Sequence, residues 1–484
     1  MLAAPALSSC AVGPDFQVPG PPAITKFLFG RGADRVAGRT VLRGADIPPQ
    51  WWELFRAPAL DRLVQDAIAY NADLAAAEAA VRVAQANALA QRGALFPTVT
   101  GTFDASRQKT ANILAPTLES GASIFNLFTA QVTVTYVADV WGGTRREIES
   151  ADADTEMQAF QREGVYLTLA SNVALATIEE ARLRGQIAAT QRIIALQTDL
   201  LGVLQKQHDQ GQIALTDVVT QQTALARSRL LLPPLERDLG KQRNLLAFLT
   251  GRFPSEAAFA TFRLSTFRLP RRLPLSLPAD LVRQRPDIRA AEASLHSANA
   301  KIGVAIANRL PKITLTGNRG STSEKIGQLF SPGTGFWTIA GNVAQTVFDA
   351  GTLEQKQRAA EETTNQAVAQ YRSVVLAAFQ NVADVLRALQ ADARAIDAAT
   401  AAERSASQNV DLVRKQVDVG QVNIPLLIEA QRLYLESSLA RVDAQASQLA
   451  DTVALFQALG GGWWNRSPVT IQARPATRVD PHGT

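Results

Sequence analysis

The single cysteine of the chain, Cys10, carries the clearest chemistry in the sequence. It follows Leu7, Ser8 and Ser9, the Leu-x-small-Cys pattern at which a bacterial lipoprotein signal peptide is cut and the cysteine thiol receives a diacylglyceryl group. The alternative is an ordinary lone thiol in a terminal tail. Because residues 1–9 lack the basic start and the full apolar length of a signal peptide, we expect the true start to lie upstream. The sequence predicts lipid attachment at Cys10.

Catalytic residues form no comparable pattern. The three histidines, His208, His296 and His482, are far apart in the sequence. Neither a nucleophile triad nor the ligand spacing of a zinc site can be recognised. The glycines Gly460 to Gly462 follow a helical pattern, so they lack the strand, loop and helix order of a phosphate-binding loop. We expect no enzyme activity, no cofactor and no metal site.

The charges of the chain also restrict its partners. The net charge is +5 over 484 residues, but Lys and Arg alternate with acids along helix faces. This mixture indicates solvated helix surfaces rather than a basic stripe for nucleic acid, so we expect no nucleic-acid partner. No apolar run approaches the roughly 18 to 20 residues of a membrane helix.

The longest element that the sequence predicts is a helix from Thr352 to Val419. This stretch contains neither glycine nor proline, and its apolar residues recur at helical spacing. At 1.5 Å per residue such a helix is ~100 Å long. Gly420 ends it as a C-cap glycine, and after Pro425 a second helix is predicted from Leu426 to Leu459. The two helices form a hairpin.

The hairpin occurs twice in the chain. The turn at Lys206-Gln-His-Asp-Gln-Gly-Gln-Ile is repeated 209 positions later as Lys415-Gln-Val-Asp-Val-Gly-Gln-Val. A tandem duplication therefore organises the chain. We divide it into a lipoprotein signal remnant and extended segment (1–60), a first repeat (61–277), a second repeat (278–462) and a C-terminal tail (463–484). Each repeat is expected to hold a first helix (61–95 in the first repeat), two strands and a long hairpin.

Two strands in each repeat show period-two alternation. In the first repeat they start at Thr98 and Gln131, and in the second at Ile313 and Trp337. Their lengths match the 9 to 11 residues of a tilted membrane strand. The alternative is a sheet in water with one face on a core, but no segment is left over to cover its apolar face. Four strands cannot close a barrel alone, so closure must come from other copies of the chain.

Six motifs together resemble the outer-membrane efflux channels, in particular their nodulation-type lipoprotein branch. They are Leu95-Phe-Pro-Thr-Val, Val137-Ala-Asp-Val-Trp-Gly-Gly, Gly211-Gln-Ile-Ala-Leu-Thr-Asp-Val-Val, Arg285-Pro-Asp-Ile-Arg-Ala-Ala-Glu, Val347-Phe-Asp-Ala-Gly and Ile428-Glu-Ala-Gln-Arg. The resemblance covers the chain from Cys10 to Leu459. It implies a mainly α protein with a small membrane β part, in which duplicated helical hairpins form an α-barrel. A β-barrel, closed by trimerisation with four strands per chain, continues it.

The same resemblance implies partners and functional residues. A homotrimer in the outer membrane, anchored by lipid and extending into the periplasm, docks onto a periplasmic adaptor and a proton-driven inner-membrane pump. The docking turns are Gly211, Gln212, Gly420 and Gln421. The family often narrows its tunnel with aspartates just after the second glycine, where this chain has Val422. Our candidates for a gate are therefore Asp209, Asp217, Asp418 and Val422.

The resulting functional hypothesis is a passive channel of a tripartite efflux pump that exports small molecules. Two alternatives remain open: the outer-membrane component of a type I protein secretion system, and a non-conducting structural adaptor that bridges the periplasm. Membrane-crossing strands favour a channel over the adaptor. The cargo cannot be deduced, because the pump selects it.

Overall fold

A computed structural model describes residues 11–24, 26–27, 35–36, 39–109, 124–256, 259–270 and 272–466. Cys10 and the C-terminal residues 467–484, which include His482, lie outside these ranges. The chain divides into two compact units, and each takes segments from both repeats. The sheet unit comprises Met1–Pro19, Ala79–Ala159 and Ala290–Ser373. The core unit comprises Gly20–Glu78, Phe160–Arg289 and Val374–Thr484.

The described chain is mainly helical. Its helices are α1 (Pro58–Tyr70), α2 (Ala72–Gly93), α3 (Gly143–Asp209), α4 (Leu215–Leu230), α5 (Leu232–Leu249), α6 (Pro278–Gln284), α7 (Pro286–Ala307), α8 (Thr352–Asp418) and α9 (Ile424–Ala458). Its strands are β1 (Arg35–Val36), β2 (Arg39–Arg43), β3 (Thr98–Lys109), β4 (Ile124–Ala138), β5 (Arg272–Leu275), β6 (Lys312–Ser323) and β7 (Gly335–Ala344). Among the described helices, none is both long and apolar enough to span a membrane.

The two long helices confirm the prediction from the sequence. α3 and α8 each run for 67 residues without a break, and α8 ends one residue before the predicted end. An aspartate shortly before each helix caps its start. Asp139 accepts hydrogen bonds from the Thr144 and Arg145 amides, and Asp349 accepts them from the Gly351 and Leu353 amides. The carboxylates satisfy amides that have no partner inside the helix.

The first predicted helix, 61–95, is instead two helices. Asn71 separates α1 from α2 with an extended backbone, and its buried Oδ1 accepts a hydrogen bond from the Leu74 amide at 3.0 Å. Its Nδ2 donates to the Leu249 carbonyl at 3.1 Å, at the end of α5. One asparagine side chain thus satisfies both the Leu74 amide at the start of α2 and the Leu249 carbonyl at the end of α5. Neither group has a partner inside its own helix. The single-helix prediction missed this because the apolar spacing continues across Asn71.

The sheet unit holds an antiparallel sheet in the order β3, β4, β6, β7. The number and pairing of the four strands confirm the prediction, but β4 begins at Ile124, seven residues before the predicted start at Gln131. β4 ends at Ala138, before Asp139 and Trp141, since Asp139 caps α3. β7 ends at Ala344, before Val347. A second, three-stranded sheet in the core unit, in the order β1, β2, β5, was not predicted.

The core unit is built around three aromatic side chains of the segment 1–60, which the sequence analysis described as extended. Trp51, Trp52 and Phe55 lie in a 3₁₀ helix and are fully buried. The Trp51 ring stacks on Phe456 of α9 with the centroids 5.4 Å apart and meets Trp52 edge-on. This cluster joins the segment before α1 to the last helix.

The segment after Cys10 is extended, and it is held in place within the sheet unit. The side chain of Arg146 donates to the Val12 and Gly13 carbonyls and pairs with Asp15 at 2.7 Å. The Phe16 ring stacks on His296 with the centroids 4.4 Å apart. The backbone at Gly13 passes so close to Gly303 that a Cβ on Gly13 would lie 2.5 Å from the Gly303 Cα.

Candidate functional site

The two faces of the four-stranded sheet differ in chemistry. Paired positions across the strands form rows, and adjacent rows point to opposite faces. One row consists of Val99, Val134, Gly317 and Ile339. The next row consists of Thr100, Thr133, Asn318 and Thr338. The apolar side chains are exposed within the chain; Ile339 is 81% exposed. Apart from Arg319, which lies beside Trp337 on the same face, one face of the middle of the sheet is apolar and exposed and the other is polar, which matches the wall of a membrane channel.

Both edges of this sheet are open. Within the described ranges, β3 pairs only with β4 and β7 only with β6. Beyond β7, the Val347 and Phe348 side chains are 94% and 88% exposed. Unpaired strand edges offer their amides and carbonyls to another chain, and in hydrocarbon they are costly unless they are paired. The single chain is therefore incomplete as a membrane structure.

The two hairpin turns have the same geometry. Gly211 and Gly420 adopt φ values of 70° and 72°, the left-handed region that a glycine occupies without strain. The Gln212 amide donates to the Gln207 carbonyl, and the Gln421 amide to the Gln416 carbonyl. This is the Schellman motif, which closes a helix at a left-handed residue. Both glycines and both glutamines are exposed at the end of their hairpin.

The three candidate acids of the gate differ in exposure. Asp209 and Asp418 are exposed in the last turn of α3 and α8, whereas Asp217 is half-buried in the first turn of α4. None of the three acids forms an ion pair with a described residue of the same chain. The structure thus leaves these carboxylates available to other partners.

Val422 belongs to an apolar cluster at the base of the second turn. It is half-buried against Val410, Val413 and Leu427 of its own hairpin. The next residue, Asn423, caps α9, since its side chain accepts a hydrogen bond from the Leu426 amide. α9 therefore begins at Ile424 and includes Pro425 in its first turn, where a proline is tolerated.

A carboxyl pair between α8 and α9 was missed by sequence reasoning. Burial raises the pKa of Asp392 to about 7, and the neighbouring carboxyl group of Asp451 contributes to the increase. Two neighbouring carboxyl groups favour sharing one proton. Because each aspartate lies in a long, polar helical stretch, the sequence contains no pattern that identifies the pair.

Among the described residues, no group of three or more His, Cys, Asp or Glu side chains is placed to hold a metal ion. His208 contacts the Ile213 carbonyl through Nδ1 at 3.1 Å across the first turn, and His296 lies 2.9 Å from Glu149. These two histidines therefore belong to separate local contacts. Cys10, the predicted site of lipid attachment, lies outside the described residues.

Comparison with known proteins relates this geometry to one family. The model of the family described as "Outer membrane efflux protein" matches residues 63–252 and 277–461. The pyoverdine export outer membrane protein OpmQ of Pseudomonas putida is 31% identical over 437 residues, which are 89% of this chain and 92% of OpmQ. The probable efflux pump outer membrane protein TtgC of Pseudomonas putida is 29% identical over 95% of this chain and 94% of its own. The structure of the outer-membrane channel OprN superposes with a TM-score of 0.86 at 25% identity, covering 94% of this chain and all of OprN.

Proposed function

Because the chain belongs to the outer membrane efflux protein family, we propose that three copies of it form a passive channel that carries exported small molecules across the periplasm and the outer membrane. The observation that carries this proposal is the four-stranded sheet with one exposed apolar face and two open edges. With four strands from each of three chains, twelve strands close into a barrel and no edge remains. The long helices α3 and α8 then supply the wall of an α-barrel in the periplasm.

In this proposal the protein transports molecules passively, and no catalytic step is involved. Its relatives OpmQ and TtgC are described as export and efflux proteins. A type I secretion component would share the channel architecture but carry a protein cargo. A non-conducting adaptor would have no use for an apolar sheet face, so the exposed row at Val99 and Ile339 favours the channel over the adaptor.

The hairpin turns are the proposed contact with the other components of the pump. Gly211, Gln212, Gly420 and Gln421 are exposed at turns of equal geometry, so each chain presents two similar surfaces. A periplasmic adaptor can dock its own helical hairpins between such turns and link the channel to a proton-driven pump in the inner membrane.

Asp209, Asp217, Asp418 and Val422 are the proposed gate at these turns. Asp209 and Asp418 are exposed and have no ion-pair partner among the described residues of their own chain. Cations on a neighbouring hairpin, such as Lys206 or Lys415, supply the partners. Each exposed pair contributes only about 0 to 1 kcal/mol, but threefold symmetry repeats every contact.

Removal of these acids is expected to open the channel. The double variant Asp209→Ala, Asp418→Ala loses the pairs that hold neighbouring hairpins together, so the single-channel conductance in planar bilayers should rise severalfold over wild type. The matched control Asp397→Ala removes an exposed acid of α8 that lies ~30 Å from the turn, and should conduct as wild type does. Unchanged conductance in the double variant would show that these acids do not close the channel, and the apolar cluster around Val422 would then be the candidate for the gate. A wild-type protein that neither trimerises in detergent nor conducts would contradict the channel itself.

Cys10 is the proposed site of lipid attachment. Cys10→Ala should abolish the incorporation of radioactive fatty acid, while the variant still forms trimers in the outer membrane, because the strands hold it there. The measurement is autoradiography of the purified protein, with wild type labelled in parallel. Persistent labelling of the variant would refute attachment at this cysteine.

A further inference from the structure

The core unit contains a cavity of about 700 Å³ that is lined by four arginines. Arg184 and Arg192 lie on α3, Arg263 lies in the segment between α5 and β5, and Arg441 lies on α9. The rest of the lining includes small residues such as Gly185 and Ala188. No motif in the sequence indicates this cluster, because its members are far apart along the chain.

Buried or half-buried carboxylates hold two of these arginines from behind the cavity wall. The Nε of Arg184 pairs with the Oε1 of Glu180 at 2.8 Å, and the Glu180 side chain is only 1% exposed. The other oxygen of Glu180 accepts a hydrogen bond from the Phe262 amide. Glu180 therefore fixes both Arg184 and the backbone that precedes Arg263. On the opposite side, Arg441 pairs with Glu403 at 2.5 Å.

The other two arginines are not neutralised by a carboxylate of the described chain. Arg192 is exposed, and its Nη1 donates to the Tyr434 hydroxyl at 3.3 Å. Arg263 is exposed as well, and neither forms an ion pair with a described residue. Four arginines thus line a concave space and two of them are paired with carboxylates, which leaves two positive charges. A concave surface with charge of one sign concentrates ligands of the opposite sign.

We propose that this cavity binds a multiply charged oxyanion, either a polycarboxylate or a phosphate. A planar guanidinium binds carboxylate and phosphate groups through two parallel hydrogen bonds, which a point charge such as lysine cannot do. The volume lies within the roughly 300 to 1,000 Å³ of small-molecule sites in proteins. Arg192 and Arg263 supply the unpaired charge, and the carboxylate-held Arg184 and Arg441 orient the ligand between them.

Isothermal titration of the full-length protein in detergent tests this site. The probes are citrate, inorganic phosphate and, as a single-charge comparison, acetate, in a buffer of low ionic strength. Citrate or phosphate should bind saturably with one site per chain, and acetate should bind at least tenfold more weakly, because it engages one arginine pair only. Binding of citrate alone identifies a polycarboxylate site, and binding of phosphate alone identifies a phosphate site.

Variants distinguish the binding of anions in this cavity from the nonspecific attraction of anions to a basic protein. Arg192→Gln combined with Arg263→Gln should weaken binding about tenfold or more, with circular dichroism and trimer formation unchanged, since both side chains are exposed. The matched control Arg229→Gln removes an exposed arginine of α4 outside the cavity and should bind as wild type does. The proposal is overturned if wild type binds neither citrate nor phosphate saturably. It is also overturned if the double variant keeps wild-type affinity.

Discussion

Replacement of Ile339 by arginine is expected to prevent the protein from accumulating as a trimer in the outer membrane. Ile339 lies at the middle of β7, on the apolar face and 81% exposed within the chain. An arginine facing lipid near the bilayer midplane costs ~2 to 4 kcal/mol per chain, and a trimer repeats this cost three times. The measurement is the amount of heat-resistant trimer in isolated outer membranes, which should fall at least tenfold.

The neighbouring residue provides the control. Thr338 precedes Ile339 on the same strand and points to the polar face, in the row with Thr133 and Asn318. Thr338→Arg introduces the same charge facing the lumen, so the variant should assemble at near wild-type levels. If both faces of the sheet were in water, each substitution would change stability by only about 0.5 kcal/mol or less. Equal assembly of the two variants would therefore refute a membrane location for the apolar face.

Truncation of Trp51 is expected to have the largest effect on the core unit. Its side chain is 1% exposed and stacks on Phe456. A buried tryptophan replaced by alanine typically loses ~3 to 5 kcal/mol, through lost burial and the cavity that remains. For a unit of this size, the midpoint of thermal unfolding should fall by about 10 °C, as measured by circular dichroism in detergent.

Two further variants of the core unit make this result specific. Phe253→Ala removes an aromatic ring that is 73% exposed, so the midpoint should change little. Trp51→Phe keeps an aromatic face against Phe456 and should recover a substantial part of the loss. If Trp51→Ala and Phe253→Ala have the same midpoint, Trp51 does not hold the core together.

The sequence by itself determined the repeating parts of the molecule, because they depend on local periodicity. The glycine-free stretch before Gly420 could form only a helix, and the structure places α8 from Thr352 to Asp418. The period-two alternation of apolar residues located all four long strands. Both signals arise from side chains close together in sequence, which the helix and strand repeats bring to one face.

Only the tertiary structure decided where elements break and which distant side chains meet. The break at Asn71 depends on the Leu249 carbonyl, which lies 178 positions further along the chain. The burial of Trp51 could not be predicted from local sequence, because its partner, Phe456, lies at the other end of the chain. The four-arginine cavity and the Asp392–Asp451 pair likewise join separate elements. Local propensity contains no information about such contacts, since their free energy comes from burial and hydrogen bonding that exist only after the elements have packed.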